Sequence, residues 1–184
     1  MIKIKLFKIT KKNRAALIII LVAILAVLFL HVFKNDTQTA TGSKLGQYAP
    51  DFESEYLNGS KFFLHELKGK PIILNFWASW CPPCISEMPR LNEFSRMHEN
   101  DILVIGVNLG EKEISIETFL ARVNVTFPIV KDKERSIEKS YNIIARPSTF
   151  FIDENGIIVD KRLGEISREE LNDKSQKLLK NRKV

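Results

Sequence analysis

Apolar and polar positions divide the chain into three zones. Residues 15–33 are the longest apolar run: Ala15 to Leu30 carries no charge, and His31, Val32 and Phe33 extend it. A helix of that length crosses about 30 Å of hydrocarbon. Residues 34–47 are polar, with Thr, Ser and Gly, and read as a flexible linker. From residue 48 the pattern is that of a globular domain, 48–184. Phe52–Tyr56 and Lys61–Leu64 flank Asn58-Gly59, a hairpin signal. Pro71–Trp77 is apolar throughout except for Asn75, the pattern of a central strand buried on both faces. Ile85, Met88, Leu91 and Phe94 then recur at helical spacing, with Pro89 predicted to kink that helix.

The alternation continues to the C-terminus. Ile102–Val107 reads as a strand, Ile114–Val123 as a helix and Phe127–Val130 as a short extended piece. Ser136–Tyr141 is a short helix. Thr149–Asp153 and Ile157–Leu163 are strands joined by Asn155-Gly156. Ser167 and Glu170 stand at capping-box spacing before a closing helix that runs to Lys180. Strands alternating with helices, followed by a terminal hairpin and helix, predict an α/β fold with a mixed central sheet flanked by helices.

Charge sharpens the N-terminal reading. The formal charge is +6, but Lys3, Lys5, Lys8, Lys11, Lys12 and Arg14 supply all of it. The rest of the chain is balanced, which argues against a nucleic-acid partner. Residues 1–14 are therefore a basic tail before a transmembrane signal anchor, 15–33. The positive-inside rule puts that tail in the cytoplasm and the domain on the extracytoplasmic side of the cell membrane. A cleaved signal peptide would have a shorter apolar core and a small-x-small site; Gln38-Thr39-Ala40 has a large residue where a small one is needed.

The only two cysteines, Cys81 and Cys84, lie in Trp80-Cys81-Pro82-Pro83-Cys84, where the apolar strand gives way to the helical pattern. A Cys-x-x-Cys at such a junction is the sequence form of a thiol–disulfide redox site. Two cysteines in one motif imply a catalytic disulfide rather than a structural one. The thiolate is the attacking species, so the site must lower a thiol pKa from about 8.5. Pro83 suits the first helical turn, which places Cys81 at the cap, facing unpaired N–H groups and the positive end of the helix dipole. Cys81 is the expected nucleophile and Cys84, one turn further in, the resolving thiol. A zinc half-site would need two more ligands, and His65 and His98 are not at ligand spacing. Haem attachment would need a histidine where Ile85 stands. No metal and no cofactor beyond the Cys81–Cys84 pair are expected.

These residues resemble the thioredoxin superfamily, and more closely its membrane-anchored ResA/TlpA-like branch of extracytoplasmic thiol–disulfide oxidoreductases. The resemblance runs from about Leu45 to Leu179. Its motifs are Asn75-Phe76-Trp77-Ala78-Ser79-Trp80-Cys81-Pro82-Pro83-Cys84, Glu87-Met88-Pro89 and Arg146-Pro147-Ser148-Thr149-Phe150. It implies a thioredoxin-like fold in which Ala49-Pro50-Asp51-Phe52 opens an extra N-terminal hairpin. It implies a cis Pro147 facing the dithiol, with Arg146 offering backbone groups to a bound peptide. Trp80 and Pro82 are the other expected substrate-contacting residues. Asn75 replaces the buried aspartate of cytosolic thioredoxins, and Glu87 is the implied proton-handling carboxylate; the alternative is an exposed first-turn glutamate.

The function that the resemblance implies is reduction of the Cys-x-x-Cys-His disulfide of apocytochrome c before haem attachment. The protein would act as a monomer, recharged by a membrane electron-transfer protein. Another envelope or spore-cortex protein is the alternative substrate, and the motif alone does not fix the direction of transfer. A thiol peroxidase would carry a Thr-x-x-Cys context, and Ala78 stands at that position. A copper carrier of the Sco type would carry Cys-x-x-x-Cys and a distant histidine, and no histidine follows His98.

Overall fold

A computed structural model describes residues 20–28 and 40–180. Residues 20–28 are helical (α1). The basic tail 1–14, the two ends of the expected span at 15–19 and 29–33, and linker residues 34–39 lie outside the described residues. Among the described residues no helix is long and apolar enough to cross a membrane.

Residues 40–180 form a mixed sheet with helices on both faces. The elements are β1 (Glu53–Glu55), β2 (Lys61–Phe63), a single 3-10 turn (Leu64–Leu67), β3 (Ile72–Trp77), α2 (Pro82–Met97) and β4 (Leu103–Asn108). They continue with α3 (Glu113–Val123), β5 (Ile129–Lys131), α4 (Ser136–Ser140), β6 (Ser148–Ile152), β7 (Ile158–Leu163) and α5 (Arg168–Lys180). The five-stranded sheet has the order β5-β4-β3-β6-β7. β3 runs parallel to β4 and antiparallel to β6. β1 and β2 pair as a separate antiparallel hairpin, turning at Gly59 with φ +82°. This is the thioredoxin-like arrangement, with the extra hairpin that the resemblance implied.

β3 is central and wholly buried because both of its faces are apolar. Ile72, Leu74 and Phe76 point into one core, with Ile105, Val107, Phe150 and Tyr141. Ile73 and Trp77 point into the other, with Met88, Leu91 and Phe94 of α2 and Phe119 of α3. The strand's period of two puts Asn75 on this second face, as a polar residue in an apolar layer. Next to it in the ladder Gly106 leaves room: a Cβ there would come within 2.9 Å of Trp77 Nε1 and 2.5 Å of Ile129 Cδ1.

Residues 40–47, expected as the end of the linker, are hydrogen-bonded to the domain. Gly46 N donates to Ile158 O at 2.8 Å, and Ile158 N donates to Gln47 O at 2.9 Å. The capping box forms as predicted: Glu170 N donates to Ser167 Oγ, and Ser167 N to Glu170 Oε2. Pro89 sits inside α2, which is one uninterrupted element from Pro82 to Met97.

Candidate active site

β3 ends at Trp77, and a turn closed by Cys81 N donating to Ala78 O at 3.3 Å leads into α2. Pro82 and Pro83 occupy the first helical positions, where a missing N–H leaves no bond unmade. Cys81 is therefore the N-cap. Its backbone is extended, and its Sγ accepts from Cys84 N at 3.3 Å. Cys81 and Cys84 are joined as a disulfide. Cys84 is fully buried and Cys81 is 3% exposed, so the outer sulfur is the one a substrate can reach. The cap position aims the Cys84 N–H and the positive end of the helix dipole at Cys81 Sγ, which favours the thiolate once the bond is reduced.

One turn beyond Cys84, Glu87 points into the sheet rather than to water, with no exposed surface. Glu87 Oε1 accepts from Asn75 Nδ2 at 2.7 Å, and Oε2 accepts from Ile166 N at 3.0 Å. Asn75 Nδ2 also donates to Thr149 Oγ1 at 3.0 Å, across the β3–β6 pair. Loss of hydration pushes the Glu87 pKa up to about 7. The Ile166 and Asn75 donors and the Arg90 guanidinium oppose that rise, and Glu165 adds slightly to it. Of the two sequence readings, the exposed first-turn glutamate is set aside by this burial. The carboxyl changes charge near neutrality, as a group must if it exchanges protons with thiols.

The loop joining β7 to α5 covers this carboxyl and is tied down to α2. Arg90 donates to Ile166 O at 2.5 Å and to Glu165 Oε1 at 2.8 Å, and Ser86 Oγ donates to the same Glu165 oxygen at 2.7 Å. Sequence reasoning gave no role to Thr149, Arg90 or loop residues 164–166. Thr149 stands within a motif that was recognised, but its partner lies on another strand.

The Arg146–Pro147 bond is cis. Arg146 Nη2 donates to Glu138 Oε1, and its guanidinium carbon lies 5.8 Å from the centre of the Trp80 ring. That ring is 65% exposed, whereas Trp77 is wholly buried. Trp80 is thus a groove residue and Trp77 a packing residue. Pro82 is exposed beside Cys81. Trp80 also walls an open cleft of about 470 Å³ with Ile114, Thr118 and Phe119 of α3. The contact of Arg146 with Trp80 joins the Pro147 loop to the Cys81 loop. Glu138, the partner that holds Arg146, had no sequence signal.

The chain matches the Redoxin family model over residues 44–178. The chain belongs to the Redoxin family. It is 36% identical over 158 residues to the thiol-disulfide oxidoreductase ResA of Geobacillus kaustophilus, covering 85% of this chain and 88% of that one. It is 33% identical to the thioredoxin-like protein YneN of Bacillus subtilis, covering 85% and 93%. Among solved structures it resembles StoA of Bacillus subtilis at a TM-score of 0.61 and 32% identity, covering 68% of this chain and 96% of that one. With its Cys81–Cys84 disulfide at the N-terminus of α2, this Redoxin-family chain is a thiol–disulfide oxidoreductase of the ResA type. Among the described residues no cluster of three or more His, Cys, Asp or Glu could hold a metal ion.

Proposed function

We propose that this chain is a membrane-anchored reductant that acts on the extracytoplasmic side and reduces the Cys-x-x-Cys-His disulfide of apocytochrome c before haem attachment. The observation that carries the reading is Glu87, buried one turn from Cys84 with a pKa of about 7. A dithiol that reduces its substrate must give up two protons as it closes its own disulfide, and this carboxyl can take one near neutral pH. The ResA-type relatives and the basic tail before the 15–33 apolar run support the setting.

The reaction has two exchanges. Cys81 thiolate attacks one sulfur of the substrate disulfide; that S–S bond breaks and the substrate's other sulfur leaves as a thiol, taking up a proton. Cys84 then passes its proton to Glu87 and attacks Cys81 Sγ, which frees the second substrate thiol and closes Cys81–Cys84. The substrate gains two electrons and the protein loses two. A membrane electron-transfer protein returns them by the reverse exchange. Trp80 and Pro82 flank Cys81 in the chain and Arg146 lies against the Trp80 ring; the substrate backbone pairs beside the Pro147 loop.

Replacing Cys84 with Ala tests the reading, because the mixed disulfide on Cys81 then has no resolving thiol. Expressed in its own cells, Cys84→Ala should be recovered covalently joined to apocytochrome c. Recovery of another envelope or spore-cortex protein would keep the chemistry and change the substrate. Recovery of no partner, with Cys81 still open to alkylation, would overturn the reductant reading.

A further inference from the structure

We propose that Glu111 is a positioning residue for the redox turn, holding Cys81 at the helix cap through Ser79. The turn from Ala78 to Cys81 leaves the sheet, so Ser79 N–H has no strand partner. It donates instead to Glu111 Oε2 at 2.7 Å, and Ser79 Oγ donates to Glu111 Oε1. The carboxylate is itself fixed. Asn108 Nδ2 donates to Glu111 Oε2 at 2.6 Å, and Glu111 N donates to Asn108 Oδ1 at 3.1 Å. Asn108 is fully buried at the end of β4, opposite Trp77 in the ladder, and Leu109 N donates to Trp77 O at 3.1 Å. The result is a closed ring through Trp77, Ser79, Glu111 and Asn108 that clamps the start of the turn to the strand next to it.

Two residues after the clamp, Cys81 Sγ accepts from Cys84 N. That contact is what a freed thiolate would depend on, and it exists only while the turn delivers Cys81 to the cap. Reduction removes the covalent tie to Cys84, and a mixed disulfide loads Cys81 with substrate. At those two stages the turn's own tethers must hold the sulfur in place. A carboxylate bonded by a backbone N–H and a hydroxyl is a charge-assisted tether, stronger than a neutral pair. The role concerns the thiol–disulfide exchange itself, so it does not depend on which substrate is reduced.

The test measures the pH profile of iodoacetamide alkylation of Cys81 in the full-length chain, in a Cys84→Ala background. The variants compared are Glu111→Ala, Glu111→Gln and Ser79→Ala. Glu87 and Arg90 on α2, Arg146 before β6 and Glu165 in the β7–α5 loop stay unchanged throughout. Glu111→Ala removes the clamp, so the alkylation midpoint should rise by about one pH unit and the reactivity near pH 7 should fall about tenfold. Glu111→Gln keeps one acceptor and drops the charge, so its midpoint should not rise. Ser79→Ala keeps the N–H bond and loses the hydroxyl; its midpoint should rise by less than that of Glu111→Ala, and the double variant should match Glu111→Ala alone. A midpoint unmoved in both Glu111→Ala and Ser79→Ala, even with a lower melting temperature, would reduce Glu111 to a structural role. A midpoint lowered equally by Ala and Gln would show that only its charge acts. Either result overturns the proposal. Should Glu111→Ala not fold, Ser79→Ala decides by the same criterion.

Discussion

Replacing Glu87 with Gln isolates the free energy of burying this carboxyl. Glu87 titrates at about 7 in the folded chain against an ordinary 4.5. At about 1.4 kcal/mol for each tenfold change, that difference is on the order of 3 kcal/mol. The sign follows from proton counts. Between these two values the folded state holds the proton more firmly than the unfolded state does. The stabilisation is complete below about 4.5 and is lost as the pH rises through about 7. Gln does not titrate and copies the protonated form. Its oxygen can accept from Ile166 N, while Asn75 turns its amide to offer Oδ1, a buried acceptor without a hydrogen-bond partner among the described residues. The charges facing this site are Arg90 from α2 and Glu165 from the covering loop, and both stay. The assay is urea unfolding of the oxidised full-length chain in mild detergent, at about pH 5 and about pH 8. From the lower to the higher pH, Glu87→Gln should gain about 2.5 kcal/mol relative to the parent. A difference that stays constant within about 0.5 kcal/mol would refute the reasoning, because Glu87 would then ionise as an ordinary carboxyl.

Two further outcomes follow from the same contacts. Asn75→Asp would set a second carboxylate against Glu87 Oε1, where Asn75 Nδ2 now stands at 2.7 Å. One proton should then be shared and held to well above pH 7, so the loss of stability measured by pH-dependent urea unfolding should extend to higher pH than in the parent. Ser167→Ala removes the hydroxyl that caps α5 and should cost about 1 kcal/mol in the same unfolding assay, without altering the alkylation profile of Cys81.

The sequence was most legible where chemistry is local. The Cys-x-x-Cys spacing, the prolines that start α2, the two Asn-Gly turns and the Ser167–Glu170 capping box each depend on a few neighbouring residues, and each stands where the pattern put it. β3 was legible as the central strand because a run apolar on both faces can be covered only by packing on both sides. The burial of Glu87 is of another kind. A glutamate in the first turns of a helix usually faces water, and its pKa depends on what surrounds it rather than on what adjoins it. Its two hydrogen-bond partners, Asn75 and Ile166, lie 12 and 79 residues away in the chain. Only the stacking of α2 on the sheet, with the β7–α5 loop closed over it, removes the water and raises the pKa. The clamp of Glu111 on Ser79 and the hold of Glu138 on Arg146 were likewise decided by tertiary structure, because each joins loops that the fold brings to one end of the sheet. Sequence alone thus determined which atoms exchange electrons. The fold decided which carboxyl can take their proton and which side chains keep the sulfur in place, since desolvation and loop placement are properties of packed neighbours.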